Sequence, residues 1–164
     1  MTKALFLDRD GVINIDKGYL YKIEDVEFCE AIFEVCQKYQ RDGYIIVIVT
    51  NQSGIARGYY SQKQFDTLSE WMIDQFAQKG VQIAKIYHCP HLPTIDKECQ
   101  CRKPKAGMLF KAAKELDISL EKSTLIGDNS SDIEAAKNAG LKEYYLISSQ
   151  LDNSYNIRSL KELL

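Results

Sequence analysis

Short apolar runs alternate along this chain with stretches of helical period, and few folds accommodate that alternation. Ala4-Leu5-Phe6-Leu7 and Tyr44-Ile45-Ile46-Val47-Ile48-Val49 are unbroken apolar runs, the second rich in β-branched side chains. Strands buried on both faces require such runs. Val81 to Tyr87, Thr124-Leu125-Ile126 and Tyr144-Tyr145-Leu146-Ile147 supply three more candidate strands. Between them, Phe28, Ile32, Val35/Cys36 and Tyr39 repeat at helical spacing and stop at Gly43, a suitable C′ residue. Ser61 with Gln64 forms a capping box ahead of a stripe of Phe65, Leu68, Met72, Ile73 and Phe76. Leu109, Ala112/Ala113 and Leu116 mark a third helix after Pro104; Ile133, Ala136 and Ala139 mark a fourth that Gly140 closes. Strands alternating with helices imply right-handed crossovers, hence an α/β fold with a central parallel sheet covered by helices on both faces. No repeat, low-complexity tract or linker interrupts the 164 residues, so one domain is expected over 1–164. The three prolines all fall within an irregular loop from about 88 to 105.

In such a sheet ligands bind beyond the carboxyl ends of the strands, so chemistry should sit just after each apolar run. It does so repeatedly, and a further basic piece precedes a helix. Asp8-Arg9-Asp10-Gly11 follows the first run, and a glycine turn there lets two carboxylates converge on one point. Ionised carboxylates held close need a cation, and hard oxygen ligands suit Mg²⁺. Taken alone, the pair is equally an Asp-rich strand end. Thr50-Asn51-Gln52-Ser53-Gly54 follows the second run, with a hydroxyl, an amide and backbone N–H groups that can cradle an oxyanion, or make a plain polar turn. Gly127-Asp128-Asn129-Ser130-Ser131-Asp132 places another carboxylate directly after a strand. Asp128 can complete the metal's ligand set, Ser130 can cap the next helix, and Asp132 reads as a first-turn surface residue favoured by the helix dipole. Arg102-Lys103-Pro104 precedes a helix, and a lysine held there can balance charge on a phosphoryl group.

The five cysteines argue for a metal rather than a disulfide framework. Cys89-x-His91 and, after seven residues, Cys99-x-Cys101 bring three thiolates and one imidazole into 13 residues. That set completes a tetrahedral Cys₃His zinc site with no open position, so the predicted zinc is structural and would pin the 88–105 loop. His88 lies one residue out of the pattern and is expected to pack at the strand end. Cys29 and Cys36, seven apart on one helix, are expected to face the core.

Lys+Arg 21 against Asp+Glu 23 gives a formal net charge of −2, which offers no general surface to nucleic acid or an anionic membrane. The apolar stretch after Met1-Thr2-Lys3 ends at Asp8, too short for a signal-peptide core, and no run approaches the ~20 apolar residues of a spanning helix. A cytoplasmic monomer acting on a small molecule, with no nucleic-acid or membrane partner, is expected.

The order Asp-x-Asp, Thr-Asn, Lys, Gly-Asp, each after a strand, resembles the four motifs of the haloacid dehalogenase superfamily of phosphatases, and the pattern spans residues 8 to 132. Asp16-Lys17-Gly18-Tyr19, Asn51-Gln52-Ser53-Gly54-Ile55-Ala56-Arg57-Gly58 and the cysteine loop resemble its histidinol-phosphate phosphatase-like subfamily. Val12 stands where the wider superfamily usually has Thr, and the loop between the cysteine pairs is short. The resemblance implies a three-layer Rossmann-like fold. It implies Asp8 as the nucleophile that forms an aspartyl-phosphate, Asp10 as acid and then base, and Thr50 and Lys103 as partners of the phosphoryl oxygens. It also implies Mg²⁺ on Asp8, Asp128 and the backbone carbonyl of Asp10. Asp16, Lys17, Gly18, Tyr19, Asn51, Gln52, Ser53, Arg57, Arg102 and Asn129 are the implied substrate contacts. Arg57, Arg102 and Lys17 suit a second phosphate, because arginine binds phosphate bidentately, and this points to a sugar bisphosphate.

Only 39 residues separate Asp10 from Thr50 and 52 separate Thr50 from Lys103, so neither interval has room for a separate cap domain. Two other functions compete. Histidinol-phosphate hydrolysis would need an acidic recess for an amine, and a zinc-stabilised binding module would need no intact catalytic set.

Overall fold

A computed structural model describes residues 1–164. Six parallel strands form one sheet: β1 (Lys3–Leu7), β2 (Tyr44–Asn51), β3 (Ile83–Cys89), β4 (Thr124–Gly127), β5 (Glu143–Ile147) and β6 (Asn156–Ile157), in the spatial order β3-β2-β1-β4-β5-β6. Four helices connect them: α1 (Ile32–Arg41), α2 (Gln62–Gln78), α3 (Gly107–Leu116) and α4 (Ser130–Ala139). The order reverses direction between β1 and β4, where a doubly wound sheet opens a crevice at its carboxyl edge. Leu5, Phe6 and Leu7 of β1 pair there with Thr124, Leu125 and Ile126 of β4.

Because successive strand residues point to opposite faces, β1 feeds two cores at once. Ala4 and Phe6 join Val47, Val49, Tyr87 and Leu125 under α3 and α4, which contribute Leu109, Ala112, Ala135 and Ala136. Leu5 and Leu7 join Ile46, Ile48 and Ile126 under α1 and α2, which contribute Val35, Cys36, Met72 and Phe76. The three layers expected from the sequence are therefore present.

The elements differ from the sequence reading at their ends. The α1 helix starts at Ile32, four residues after the first apolar position of its stripe. Phe28 instead forms an antiparallel bridge with Asn14, and the Cys29 N–H donates to Ile13 O at 2.9 Å. Phe28 mimicked the helical repeat because it packs on the same aromatic group, with ring centroids 4.9 Å from Phe33 and 6.1 Å from Phe76. Strand β2 runs two residues further than expected, so Thr50 and Asn51 end the strand rather than follow it. Strand β3 begins at Ile83 and runs through His88 to Cys89, and β6 was not anticipated, being two residues long. The Ser61–Gln64 capping box is formed in both directions, at 3.1 and 2.8 Å, and Gly43 and Gly140 close their helices at φ 91° and 86°. Cys36 is buried in the core as expected. No helix is long and apolar enough to cross a membrane.

Candidate active site

The switch point between β1 and β4 carries the acidic residues. Asp8 extends the β1–β4 ladder by one hydrogen bond, its N–H donating to Ile126 O at 3.1 Å, so its carboxylate emerges at the sheet edge beside that of Asp128. The chain then turns sharply: Gly11 adopts φ 88°, its N–H donates to Asn14 O at 2.7 Å, and the Ile13 N–H donates to Arg9 O at 2.8 Å. A Cβ at Gly11 would lie 1.9 Å from Asp128 Oδ2, so only glycine leaves room for that carboxylate.

Lys103 arrives from the far side of the crevice. Its ammonium is buried, 3.1 Å from Asp8 Oδ1 and 2.5 Å from Asp132 Oδ1, and donates to Val49 O at 3.0 Å. Asn51 fixes its backbone, accepting from the Lys103 N–H at 3.1 Å and donating to the Lys103 carbonyl at 3.3 Å. These partners raise the Lys103 ammonium pKa even though burial alone would lower it. Asp132 is 1 % exposed, which corrects its reading as a surface residue. Its Oδ2 accepts from the backbone N–H groups of Asp128 (3.2 Å) and Asn129 (3.1 Å), while Oδ1 holds Lys103. The residue that caps α4 is Asn129, whose Oδ1 accepts from the Ser131 N–H at 3.1 Å, and not Ser130.

Oxygens of Asp8, Asp128 and Asp132 lie within 4.8 Å of one another. Burial pushes Asp8 up to about 8 and Asp128 up to about 6, with the neighbouring carboxylates adding to both shifts. Both oxygens of Asp132 are already engaged, Oδ1 by Lys103 and Oδ2 by two backbone N–H groups, so Asp8 and Asp128 are the pair that a hard divalent cation would bring together. The donor set therefore fits Mg²⁺. The Asp10 carboxylate stands outside this trio. Arg9 Nη2 lies 3.2 Å from its Oδ1 and 3.1 Å from its Oδ2, and the Asp10 carboxylate accepts from Asn14 Nδ2 (3.0 Å) and Gln52 Nε2 (3.1 Å).

A cleft of about 600 Å³ opens above these groups. Besides the acidic residues and Lys103, it is lined by Asp16, Gly18, Tyr19, Asn51, Gln52, Ser53, Arg102 and Asn129, all expected to meet substrate. Tyr60 and Ser131 line it too and were not anticipated. Asp16 Oδ1 accepts from the Gly18 N–H at 3.0 Å and shapes the loop that carries Tyr19. Arg102 keeps a buried Nη1 without a protein partner, as an anion-binding guanidinium would. Two expected contacts stand back from the wall: Lys17 is exposed, and Arg57 packs over the Tyr19 ring, 5.5 Å from its centroid.

The second metal set lies at the end of β3. The sulfurs of Cys89, Cys99 and Cys101 lie within 4.8 Å of one another, with Cys89 Sγ 3.5 Å from Cys99 Sγ and 2.6 Å from Cys101 Sγ. Three convergent thiols fit a tetrahedral Zn²⁺. His91 is not drawn into the cluster, and its Nδ1 lies 3.0 Å from Asp96 Oδ2. His88 packs as expected, stacked on Phe65 at 4.3 Å.

The HAD-hydrolase-like family model, where HAD abbreviates haloacid dehalogenase, matches residues 100–148. A D-glycero-α-D-manno-heptose-1,7-bisphosphate 7-phosphatase of Campylobacter jejuni is 52 % identical over 166 aligned residues, covering 99 % of this chain and 94 % of its own. The chain belongs to the heptose-1,7-bisphosphate 7-phosphatase family. It is a phosphatase of the haloacid dehalogenase superfamily, a phosphoric monoester hydrolase. A D-glycero-β-D-manno-heptose-1,7-bisphosphate 7-phosphatase of Haemophilus ducreyi is 47 % identical to this phosphatase, covering 88 % of the chain and 82 % of its own. Among solved structures, a D,D-heptose 1,7-bisphosphate phosphatase of B. bronchiseptica, complexed with magnesium and phosphate, superposes with TM-score 0.83 at 28 % identity, covering 97 % of this chain and 94 % of that one.

Proposed function

We propose that this phosphatase removes the 7-phosphate of D-glycero-D-manno-heptose 1,7-bisphosphate in two steps, serving nucleotide-activated heptose biosynthesis. The observation that carries the reading is the convergence of Asp8, Asp128 and Lys103 beside Asp10 at the β1–β4 switch point, in a chain 52 % identical to a relative of that name.

Asp8 attacks phosphorus and forms an aspartyl-phosphate, with Lys103 close enough to hold both the nucleophile and a phosphoryl oxygen. Asp10 gives its proton to the departing sugar oxygen, then takes one from the water that cleaves the intermediate. Thr50 accepts from Gln52 Nε2 at 2.9 Å and donates to Asn51 O at 3.4 Å, a long hydrogen bond that its hydroxyl would exchange for one to a phosphoryl oxygen. Asp8, Asp128 and the Asp10 carbonyl are the groups that would hold Mg²⁺, which when bound screens one anion from another. Arg102 supports a bisphosphate substrate over histidinol phosphate, since its unpartnered guanidinium nitrogen suits a second phosphate and would repel an amine. Asn51 and Gln52, whose polar atoms are bonded within the protein, act as brackets for Lys103 and Asp10. Cys89, Cys99 and Cys101 are the thiols that would hold Zn²⁺, with His91 as the fourth ligand if it turned from Asp96, and a site there would pin the loop that presents Arg102 and Lys103. The free thiols suit a reducing compartment, hence the cytoplasm.

The test is steady-state kinetics with Mg²⁺ on both anomers of the heptose bisphosphate and on histidinol phosphate. A heptose bisphosphate is expected to give the highest kcat/KM, with turnover abolished by Asp8→Asn. Preference for histidinol phosphate, or near-normal turnover by Asp8→Asn, overturns the reading. The relatives carry both anomeric names, and the same measurement assigns the anomer for this chain.

A further inference from the structure

Tyr60 lies in none of the four motifs, yet it is 5 % exposed and its hydroxyl reaches into the cleft wall. Its Oη donates to Gln52 Oε1. Gln52 is itself 3 % exposed, and its Nε2 donates to Asp10 Oδ2 at 3.1 Å and to Thr50 Oγ1 at 2.9 Å. The Tyr60 ring is locked from both sides. It stacks on Tyr21 with centroids 5.6 Å apart, and it presses so closely on Gly54 that a Cβ there would lie 2.1 Å from Tyr60 Cε1.

A primary amide has an oxygen and a nitrogen of almost the same shape, and only its partners decide which way round it sits. Turned over, Gln52 would aim its carbonyl oxygen at the Asp10 carboxylate and leave both Asp10 and Thr50 short of a donor. The Tyr60 hydroxyl donating into Oε1 favours the observed orientation, since with the amide turned over the phenol oxygen could only accept from Nε2 while Asp10 faced an oxygen. Burial pushes this hydroxyl up to about 12, so it stays protonated and remains a donor.

We propose that Tyr60 is a positioning residue for the acid–base step: its hydroxyl fixes the Gln52 amide so that Nε2 aligns Asp10 and braces Thr50. The inference rests on the reading of Asp10 as the group that protonates the leaving oxygen. It predicts a loss that depends on how much the leaving group needs a proton. A sugar alkoxide needs one, whereas p-nitrophenolate departs without it.

The experiment compares kcat/KM for the heptose bisphosphate and for p-nitrophenyl phosphate in wild type, Tyr60→Phe, Gln52→Ala, the double variant and Asp10→Asn. Both kinetic constants report the steps up to phosphorylation of the enzyme. Tyr60→Phe is expected to lower the sugar-phosphate value by about threefold to tenfold, the effect of one hydrogen bond, and to lower the aryl value less. The double variant should be no worse than Gln52→Ala, because the hydroxyl acts through that amide. Gln52→Glu, which still offers Tyr60 an acceptor but faces Asp10 with oxygen, should reproduce the selective loss and serves if Tyr60→Phe does not fold. Equal losses on both substrates, or a Tyr60→Phe effect that multiplies fully with Gln52→Ala, overturns the positioning role. So does a sugar-to-aryl ratio that collapses in Asp10→Asn but holds in Tyr60→Phe and Gln52→Glu. A ratio that stays at the wild-type value in Asp10→Asn overturns the acid–base assignment, and the positioning role with it.

Discussion

Replacing Gly11 by alanine puts a methyl group where the Asp128 carboxylate lies. The added Cβ would sit 1.9 Å from Oδ2 and 2.4 Å from Cγ of Asp128, against the 3.4 Å at which ordinary contact begins. Asp128 must therefore retreat by about 1.5 Å or Gly11 must abandon its turn, which φ 88° already makes costly for any side chain, by about 1–3 kcal/mol. Either movement strikes the site proposed for Mg²⁺, an ion that demands near-ideal octahedral geometry at ~2.0–2.1 Å. The expected outcome for Gly11→Ala is a folded protein whose Mg²⁺ affinity falls by about 10–100-fold and whose kcat at saturating substrate falls by about 10²-fold. Titration calorimetry with Mg²⁺, turnover at several Mg²⁺ concentrations and a far-ultraviolet circular dichroism melt separate the metal effect from unfolding. A variant that binds Mg²⁺ within twofold of wild type and turns over normally would refute the argument, since it would show that the Asp128 carboxylate has somewhere else to stand.

Metal-free stability should depend on pH through the two buried carboxylates. The folded state holds protons on Asp8 (up to about 8) and Asp128 (up to about 6) that the unfolded chain releases near pH 4. Stability without Mg²⁺ therefore falls as pH rises from about 4 to about 8, and the Tm difference between Mg²⁺-loaded and chelated protein widens over that range. A constant difference in paired melts would contradict it. Asp132→Ala should cost about 3–5 kcal/mol in urea unfolding, because it strips a partner from the buried Lys103 ammonium; a loss below about 1 kcal/mol would mean the pair contributes little. Elemental analysis should find one zinc per chain, and Cys99→Ser should remove it and lower Tm. Full zinc content in Cys99→Ser would exclude the thiol cluster as the site.

Much of the site was legible because its chemistry follows the strands in sequence order. Asp8, Thr50 and Asp128 sit at strand ends whose apolar runs announce them, and the paired cysteines announce their own cluster. The misread residues depend on pairings between distant segments. Asp132 looked like a dipole-favoured first-turn residue because nothing local reveals that Lys103, from another loop, inserts beneath it. Its position in the first turn directly after the Gly-Asp motif was the available signal. Tyr60 was invisible for a related reason: it lies outside the polar strand-end motifs, and its hydroxyl matters only through Gln52. Phe28 fitted a helical period while serving an extended segment, since apolar spacing records which side a residue faces and not the backbone that carries it. His91 meets the ligand count by spacing, and the structure adds that its Nδ1 lies 3.0 Å from Asp96 Oδ2.

The meeting of β1 with β4 has a consequence for how the active centre comes into being. Asp8 and Asp128 lie on strands far apart in the chain, and the ladder from Asp8 to Ile126 is what sets their carboxylates side by side. No locally folded fragment can grip the ion with both arms. Catalytic competence therefore requires long-range strand assembly, since the two carboxylates meet once β4 has paired with β1.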